Sequence, residues 1–226
     1  MHDTPPIVVA VDGPSGVGKS TVARLLARRL GIPFLDTGAM YRAIGLKVLE
    51  RGIDPADRAA VEDLAAATAV SLAPLPDGSF EVVLDGEPVG NRIRAPEVGE
   101  ATSAVSAHPG VRRRLVALQR DAAHRFGGVL EGRDIGTCVV PETPYKFFLD
   151  ARQEVRYRRR YEELRRAESA IEYQEVVAEI DRRDHRDSSR ADSPLTRDPS
   201  YTFVDASDRS AEEVAEEMAR LIEGGK

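Results

Sequence analysis

The sequence of 226 residues predicts an α/β fold in which a central, mostly parallel five-stranded sheet is flanked by helices. Two observations predict it. Short, unbroken apolar runs, typical of strands buried on both faces, recur along the chain, and helical stretches separate them. That alternation is typical of a parallel sheet covered on both sides. The length suits one compact domain, residues 1–226, that carries an insertion.

The first part of the chain contains two predicted strands, residues 7–11 and 34–35, each followed by a helix. The first helix stops at Gly31, and the second, residues 38–51, stops at Gly52. Glycine is the residue that most often follows the end of a helix, because it adopts the left-handed conformation without strain. A third helix is predicted over residues 56–67.

Residues 70–89 interrupt the alternation of strands and helices. Two strand-like segments, 70–75 and 80–84, are separated by Pro-Asp-Gly-Ser, and an Asp-Gly pair then precedes Val89. This spacing of turn residues is typical of a small antiparallel meander. We interpret the meander, at about residues 70–90, as an insertion into the parallel fold.

The second half of the chain returns to the alternating pattern. Helices are predicted at 96–106, 111–125, 152–166 and 173–190, and strands at 129–131, 146–149 and 202–204. Ser210 and Glu213 have the spacing of a capping box, which predicts a last helix. In such sheets ligands bind beyond the carboxyl ends of the strands, so we expect the functional residues there.

Composition excludes several classes of protein. Apolar residues make up 42% and charged residues 31%, and no apolar stretch approaches the ~20 residues of a membrane span. The single cysteine, Cys138, cannot form an internal disulfide, and no signal peptide is visible, so we expect a reducing cytoplasm. A net charge of −6 argues against a general nucleic-acid binder.

The basic residues are mostly arginine. Of the 32 basic residues only four are lysine, and many of the arginines lie between Arg152 and Arg197. A coding bias together with solvated helix faces would explain this. The alternative is a field of arginines around a phosphorylated small ligand, because guanidinium binds phosphate oxygens in a fork that ammonium cannot reproduce. Composition leaves both interpretations open.

A phosphate-binding loop follows the first strand. Gly13-x-x-x-x-Gly18-Lys19-Ser20 matches the P-loop pattern, and a helix follows it. Backbone N–H groups and the helix N-terminus would converge on phosphate oxygens, Lys19 would neutralise the β- and γ-phosphates, and Ser20 would complete a Mg²⁺ shell. The predicted ATP-binding residues are Gly13, Pro14, Ser15, Gly16, Val17, Gly18, Lys19, Ser20 and Thr21.

The loop alone does not name the reaction. No Asn-Lys-x-Asp sequence for guanine recognition occurs, and the chain is short for a motor or a helicase. A short P-loop chain with scattered arginines and an inserted meander suggests a small-molecule kinase.

Further motifs carry a resemblance to one family of kinases. They are Asp12–Ser20, Leu35–Arg42, Glu131–Thr137, Phe148–Ala151 and Arg182–Asp187 with Arg190. In these stretches, spread in order over nearly the whole chain, the sequence resembles the nucleoside monophosphate kinases, and specifically the bacterial cytidylate kinases. The meander is similar to the enlarged monophosphate-binding region of the bacterial enzymes.

The resemblance implies a P-loop kinase fold with a helical lid and transfer of a phosphoryl group from ATP to CMP or dCMP, with Mg²⁺. It implies three regions: a core of residues 1–37, 107–152 and 191–226, a monophosphate-binding region of residues 38–106, and a lid with its following helix at 153–190. Small nucleotides are the implied partners, without nucleic acid or membrane, and a monomer is the family expectation.

The same resemblance implies the roles of individual residues. The catalytic residues would be Lys19, Arg42, Arg133 and Arg190. The CMP-binding residues would be Thr37, Arg42, Ser103, Arg112, Arg133, Asp134, Arg183, Asp187 and Arg190. Asp134 would read the base, since a carboxylate is the natural acceptor for the cytosine amine. Arginines of the lid, Arg156 and Arg159 among them, would fold over the transferring group.

Purely structural interpretations of these residues, and rival functions, remain open at this point. Arg133 and Asp134 could form a surface ion pair. The arginines and Asp187 near residue 187 could be a solvated helix face, since acid–base pairs at i, i+4 are common. Asp36 could cap a helix or act on a bound magnesium ion through water. The rival functions are another small-molecule kinase, for example for UMP or shikimate, and a non-catalytic ATP-binding switch.

Overall fold

The computed structural model describes residues 6–166, 170–190 and 193–224. The ends of the predicted core and part of the joint between the two lid helices lie outside these ranges. The strands are β1 (Val8–Asp12), β2 (Phe34–Asp36), β3 (Val70–Pro74), β4 (Phe80–Leu84), β5 (Glu87–Pro88), β6 (Gly128–Gly132), β7 (Tyr145–Asp150) and β8 (Thr202–Asp205). The helices are α1 (Lys19–Leu30), α2 (Thr37–Glu50), α3 (Arg58–Ala67), α4 (Pro96–Val105), α5 (Pro109–Phe126), α6 (Gln153–Arg166), α7 (Tyr173–Ser189) and α8 (Ala211–Gly224).

The central sheet has five strands in the order β2-β6-β1-β7-β8, and every neighbouring pair is parallel. The prediction of a mostly parallel five-stranded sheet is confirmed. Its register sets the last residue of β1, Asp12, beside Gly132, and the last residue of β2, Asp36, beside Glu131. Because parallel strands end at a common edge, these polar residues meet there.

The sheet buries apolar side chains on both faces, as its unbroken apolar strands predicted. Val9 and Val11 of β1 pack into a cluster with α1 and α8, which includes Leu26 and Met218. Ala10, between them in the chain, packs on the opposite face with residues of α5 and β6. This alternation follows from the two-residue period of a strand, and each large side chain buried stabilises the fold by about 1.5–3 kcal/mol.

The inserted meander is an antiparallel sheet of β3, β4 and β5, as predicted. Its inner residues, among them Val82 and Leu84, belong to a core that also contains Ile44 of α2. The hairpin tip reaches the edge of the central sheet, where the Phe34 amide donates to the carbonyl oxygen of Gly78 at 3.1 Å. The insertion is therefore packed onto the parallel sheet and joined to its edge strand.

Two short elements were not predicted: a 3₁₀ turn over Gly90–Arg94 and a π-helical turn over Ile135–Val139. The second has a long-range cause. The Asp12 carboxylate accepts the amide hydrogens of Ile135 at 2.9 Å and Gly136 at 2.8 Å, so a side chain 123 positions away shapes the turn. No local periodicity reports such a contact.

At Gly13 the backbone of the phosphate loop passes close to strand β7, and a substitution there tests this contact. The φ of Gly13 is 153°, and a Cβ there would lie 2.0 Å from the carbonyl oxygen of Leu149 in β7. We expect Gly13→Ala to lower the Tm by about 5–10 °C, because backbone must move to admit the methyl group. Gly99→Ala, in α4 with open space around it, is the matched control and should leave the Tm unchanged or slightly higher. Equal Tm values for both variants by differential scanning fluorimetry would contradict this.

Candidate active site

The phosphate loop connects the end of β1 to the start of α1. Gly18, just before the helix, has a left-handed conformation with φ 96°, which glycine adopts without strain, and the first N–H groups of α1 have no partner within the helix. Lys19 is buried, and its Nζ donates to the carbonyl oxygen of Pro14 at 2.6 Å. The lysine therefore lies folded back across the loop that it terminates.

Lys19 lies among arginines that come from other elements. Burial lowers the pKa of the Lys19 ammonium well below its usual range, and Arg133 and Arg183 lower it further. Glu131 and Asp187 act in the opposite direction. We call Lys19, Arg133 and Arg183 the cationic cluster. It joins the phosphate loop to the loop after β6 and to α7.

The arginines of the cationic cluster also act on one another. Burial and then Arg133 lower the pKa of Arg183 to about 10, and Arg42 on α2 contributes in the same direction. The pKa of Arg133 is raised in spite of its burial, because its guanidinium pairs with Asp187 at 2.8 Å. Like charges held together out of water would be stabilised by a bound anion with several charges.

Next to the cluster, polar side chains of α4, α5, α7 and the turn after β6 contact one another; we call this region, defined by Ser103, Ser106, Arg112, Asp134 and Arg190, the cleft. Asp134 and Arg112 form an ion pair buried at this cleft, and the Arg112 guanidinium also donates to the Ser106 carbonyl at 3.3 Å. Arg190 pairs with Asp187 and donates to the Ser106 hydroxyl at 3.1 Å. The cleft is thus lined by arginine and carboxylate groups in fixed pairs.

The structure decides between interpretations that the sequence left open. The interpretation of Arg133 and Asp134 as a surface ion pair is wrong, because Arg133 pairs with the buried Asp187 and Asp134 with the buried Arg112. The solvated-face interpretation of α7 is wrong for Asp187, whose exposed fraction is 2%. Asp36 does cap a helix, since its Oδ1 accepts the Ala39 amide at 3.0 Å at the start of α2, and its role toward a bound magnesium ion stays a prediction.

Comparisons with known proteins identify the family of the chain. The family model described as cytidylate kinase matches residues 9–224. The chain belongs to the cytidylate kinase family. It is 49% identical to the cytidylate kinase of Mycobacterium avium over 96% of this chain and 95% of that protein. It is 45% identical to that of Solibacter usitatus, over 96% and 92%.

A solved structure shares the fold. An uncharacterized protein from Eubacterium ventriosum aligns over 96% of this chain and 98% of its own, with a TM-score of 0.55 and 15% sequence identity.

Among the residues that the structure describes, this cytidylate kinase family member has no helix that is long and apolar enough to cross a membrane.

Ion pairs join several of the residues expected at the acceptor site of a cytidylate kinase: Arg112 with Asp134, and Arg133 and Arg190 with Asp187. Arg42 lies near enough to Arg183 to lower its pKa. Thr37 donates its hydroxyl hydrogen to the Glu131 carbonyl at 2.6 Å, which joins α2 to β6. Ser103 of α4 accepts from Arg186 of α7. Arg186 was not singled out from the sequence. Its bond to Ser103, beside that of Arg190 to Ser106, connects the two helices that border the cleft.

The two expected lid arginines lie against the phosphate loop. Arg156 donates to the carbonyl oxygen of Ser15 at 3.0 Å, and Arg159 donates to that of Val17 at 3.1 Å. Arg159 also donates to the Ala206 carbonyl at 2.7 Å. Both side chains therefore hold loop carbonyls in this structure. Their expected movement over the transferring group stays a prediction.

Glu131, at the end of β6, is a candidate for metal binding that the sequence reading did not select. It is buried, and its Oε1 has no hydrogen-bond partner in the part of the chain that the structure describes. Burial and then Asp36 raise its pKa to about 7, while Lys19 and the Ser20 hydroxyl lower it. A buried carboxylate oxygen beside the loop serine fits a divalent cation.

Protein side chains alone do not form a metal site here. Within residues 6–166, 170–190 and 193–224, no group of three or more His, Cys, Asp or Glu side chains could hold a metal ion. A metal ion could be held by Ser20 and Glu131, with Asp36 close to Glu131, only if a nucleotide supplied further ligands. Magnesium is usually bound in this way, by one or two carboxylates together with the phosphates of a substrate.

Asp12 is the second carboxylate that the sequence reading missed. It is fully buried and accepts from the Tyr201 hydroxyl at 2.6 Å as well as from the two amides of the turn after β6. That turn directly follows Asp134, so Asp12 fixes the position of the cleft carboxylate. The only signal in the sequence was a charged residue at the end of an otherwise apolar strand.

The pH dependence of stability tests the state of Asp12. Burial raises its pKa from 3.8 to about 6, although its hydrogen bonds oppose this. The stability contributed by the protonated form is present below about pH 4 and is lost as the pH rises through about 6. Between pH 4.5 and 7.5, we expect the wild type to lose on the order of a few kcal/mol relative to Asp12→Asn.

Urea unfolding of both proteins at the two pH values measures this difference. Comparison with Asp12→Asn cancels the titration of groups that the two proteins share. A difference in unfolding free energy that is the same at pH 4.5 and pH 7.5 would show that Asp12 has an ordinary pKa in the folded protein.

Proposed function

We propose that the chain transfers the γ-phosphoryl group of ATP to the phosphate of CMP or dCMP, giving ADP and CDP or dCDP. One observation carries the proposal: the buried lysine of the phosphate loop and the half-buried Arg133 and Arg183 lie close enough for Arg133 to lower the pKa values of the other two, and so form a single cationic cluster. Two phosphorylated ligands that meet at this cluster would bring their phosphate groups together.

The donor would bind in the loop of residues 13–21. The free N–H groups at the start of α1 would bind the triphosphate, and Lys19 would leave the Pro14 carbonyl to contact the transferring group. The phosphate charge would favour the charged lysine, which burial and the neighbouring arginines disfavour in this structure. The site therefore has a physical reason to bind a triphosphate.

The acceptor would bind in the cleft. Arg42, Arg133 and Arg190 would hold its phosphate, and Arg183 and Asp187 its ribose. Asp134 would accept from the cytosine amine, with Ser103 and Arg112 as its partners at the base. Thr37, at the start of α2, would contact the phosphate. The support is that Arg112 with Asp134, and Arg133 and Arg190 with Asp187, form ion pairs that orient these polar groups in one region.

The reaction needs positioning and charge neutralisation more than proton transfer. An oxygen of the acceptor phosphate, already ionised near pH 7, would attack the γ-phosphorus, and the bond to the oxygen bridging the β- and γ-phosphates would break. No general base is required. Lys19 and the arginines would neutralise the charge on the transferring oxygens, and the region of residues 153–190 would exclude water.

We also propose Mg²⁺ as the metal that accompanies ATP. Ser20 would contribute its hydroxyl, and Glu131 and Asp36 would hold the ion directly or through water. Bound there, magnesium would neutralise phosphate charge. The support is the buried, unpartnered Oε1 of Glu131 and its place beside Ser20, as far as the described residues show.

The same proposal covers the organisation of the chain. Residues 38–106 would form the monophosphate-binding region, residues 153–190 the lid with its following helix, and the remainder the core. A monomer acting on free nucleotides in the cytoplasm, and not on nucleic acid, is consistent with the acidic net charge and the single cysteine.

Coupled detection of ADP tests the function. ATP and Mg²⁺ are supplied with CMP, dCMP, UMP, AMP, GMP or shikimate in parallel. We expect ADP release with CMP and dCMP at a rate at least tenfold above the other acceptors. Release with shikimate alone would favour the rival small-molecule kinase, and ATP binding without release on any acceptor would favour the non-catalytic switch.

Asp134→Asn tests the recognition of the base. The amide keeps the size of the side chain, but its NH₂ group can donate to the O4 of uracil, where the carboxylate only accepts. We expect kcat/KM for CMP to fall about 100-fold and the preference for CMP over UMP to fall at least tenfold. The KM for ATP is the internal control and should change less than threefold. Equal losses for ATP and CMP would mean that Asp134 does not read the base.

A further inference from the structure

We propose that Asp184 is a positioning residue that couples the two nucleotide sites, so that a nucleotide bound in the phosphate loop tightens binding in the cleft. The inference rests on the proposed function, because it takes the cleft as the site of the acceptor nucleotide. Asp184 lies on α7 between Arg183 and Asp187; it falls within the motif of residues 182–187, but neither the resemblance nor the mechanism above gives it a role.

Asp184 and Arg156 hold both backbone polar groups of one loop residue. The Ser15 amide donates to Asp184 Oδ1 at 3.0 Å, and Arg156 donates to the Ser15 carbonyl oxygen at 3.0 Å. Arg156 also pairs with Asp184 Oδ2. The three residues form a closed set of contacts that joins the phosphate loop to α6 and α7. We call it the Ser15 clamp.

Close packing accompanies the hydrogen bonds of the Ser15 clamp. A Cβ added to Gly16 would lie 2.8 Å from the carbonyl oxygen of Arg156 and 3.2 Å from the Cδ1 of Ile180, which is fully buried on α7. The loop backbone therefore lies directly against both helices. A displacement of α7 cannot leave the loop in place without breaking contacts on two sides of it.

The same helix carries residues of the cleft. Ile180 and Asp184 are one turn apart and contact the loop, whereas Arg183 and Asp187, also one turn apart, lie at the cationic cluster and the cleft. The Asp184 charge also contributes to the raised pKa of Arg133, after the larger effect of Asp187. A ligand that repositions α7 would therefore move the loop through Asp184.

The low exposure of the Asp184–Arg156 ion pair means that removing Asp184 should strongly affect the position of the phosphate loop. The Asp184 side chain is 21% exposed and the Arg156 side chain 10%. Removing one member of a largely buried, hydrogen-bonded charge pair leaves the other without its partner, which costs far more than the loss of a surface pair. Without Asp184, the Ser15 amide would lose its partner and Arg156 would keep, among the residues that the structure describes, only the Ser15 carbonyl and the more distant Asp150, at 4.0 Å, so the loop would no longer be bonded to α7 through Asp184.

A thermodynamic cycle measures the coupling directly. The Kd of CMP is determined by calorimetry with and without a saturating, non-hydrolysable ATP analogue and Mg²⁺, and the ratio of the two values is the coupling. We expect a ratio of at least five for the wild type and below two for Asp184→Ala. A change in stability alone would not alter this ratio, because both Kd values refer to the folded protein.

Asp181→Ala is the matched control. Asp181 lies on α7 one turn before Asp184 and accepts from Gln153 at 3.0 Å and from the Tyr157 hydroxyl, so it joins α7 to α6 with no contact to the loop in the structure. We expect it to keep the wild-type ratio. Asp184→Asn can still accept from the Ser15 amide but loses the ion pair with Arg156, so we expect it to give an intermediate ratio. If Asp184→Ala does not fold, the ratio of Asp184→Asn is the test.

The outcomes separate this inference from the proposed function. A wild-type ratio near one, an Asp184→Ala or Asp184→Asn ratio equal to that of the wild type, or an equal loss in Asp181→Ala would overturn the coupling role of Asp184. Failure of the wild type to release ADP with CMP would instead overturn the proposed function. An active wild type with an unchanged ratio in the Asp184 variants would remove the inference alone.

Discussion

Repulsion among three cations, one buried and two half-buried, is the constraint on which the site depends. Lys19, Arg133 and Arg183 come from three separate segments. They are held together because β1 and β6 end at the same edge of the sheet and α7 bonds to the loops that follow both strands, through Asp184 and Asp187. Burial and mutual repulsion lower the pKa of Lys19 and of Arg183. A ligand that brings several negative charges relieves both effects, so the fold itself selects for phosphates.

Carboxylates make this concentration of positive charge compatible with a folded protein. Asp187 pairs with both Arg133 and Arg190, and Asp134 pairs with Arg112. Since Arg112, Arg133 and Arg190 each have a carboxylate partner in this structure, phosphate binding at these three would exchange one charged partner for another and would not expose a bare cation. Such exchange keeps the cost of desolvation low at the moment of binding. It also means that the cleft is ordered before the nucleotide arrives.

The sequence predicted what depends on local pattern and missed what depends on distant partners. The phosphate loop, the parallel strands and the inserted meander each have a signature within about ten residues, and the structure has them within one or two residues of the predicted bounds. The acceptor residues came from resemblance to a family. Asp12, Glu131 and Asp184 were missed because their partners lie on other elements, and a carboxylate in sequence does not show that it is buried.

The account predicts that the two nucleotides meet end to end at the cationic cluster. The most direct test is the affinity of a single molecule in which adenosine and cytidine are joined through their 5′ oxygens by a chain of five phosphates. It should bind at least a hundredfold more tightly than ATP or CMP alone and should inhibit competitively against both. Binding no tighter than that of ATP, or competition with only one substrate, would show that the phosphate loop and the cleft do not face each other.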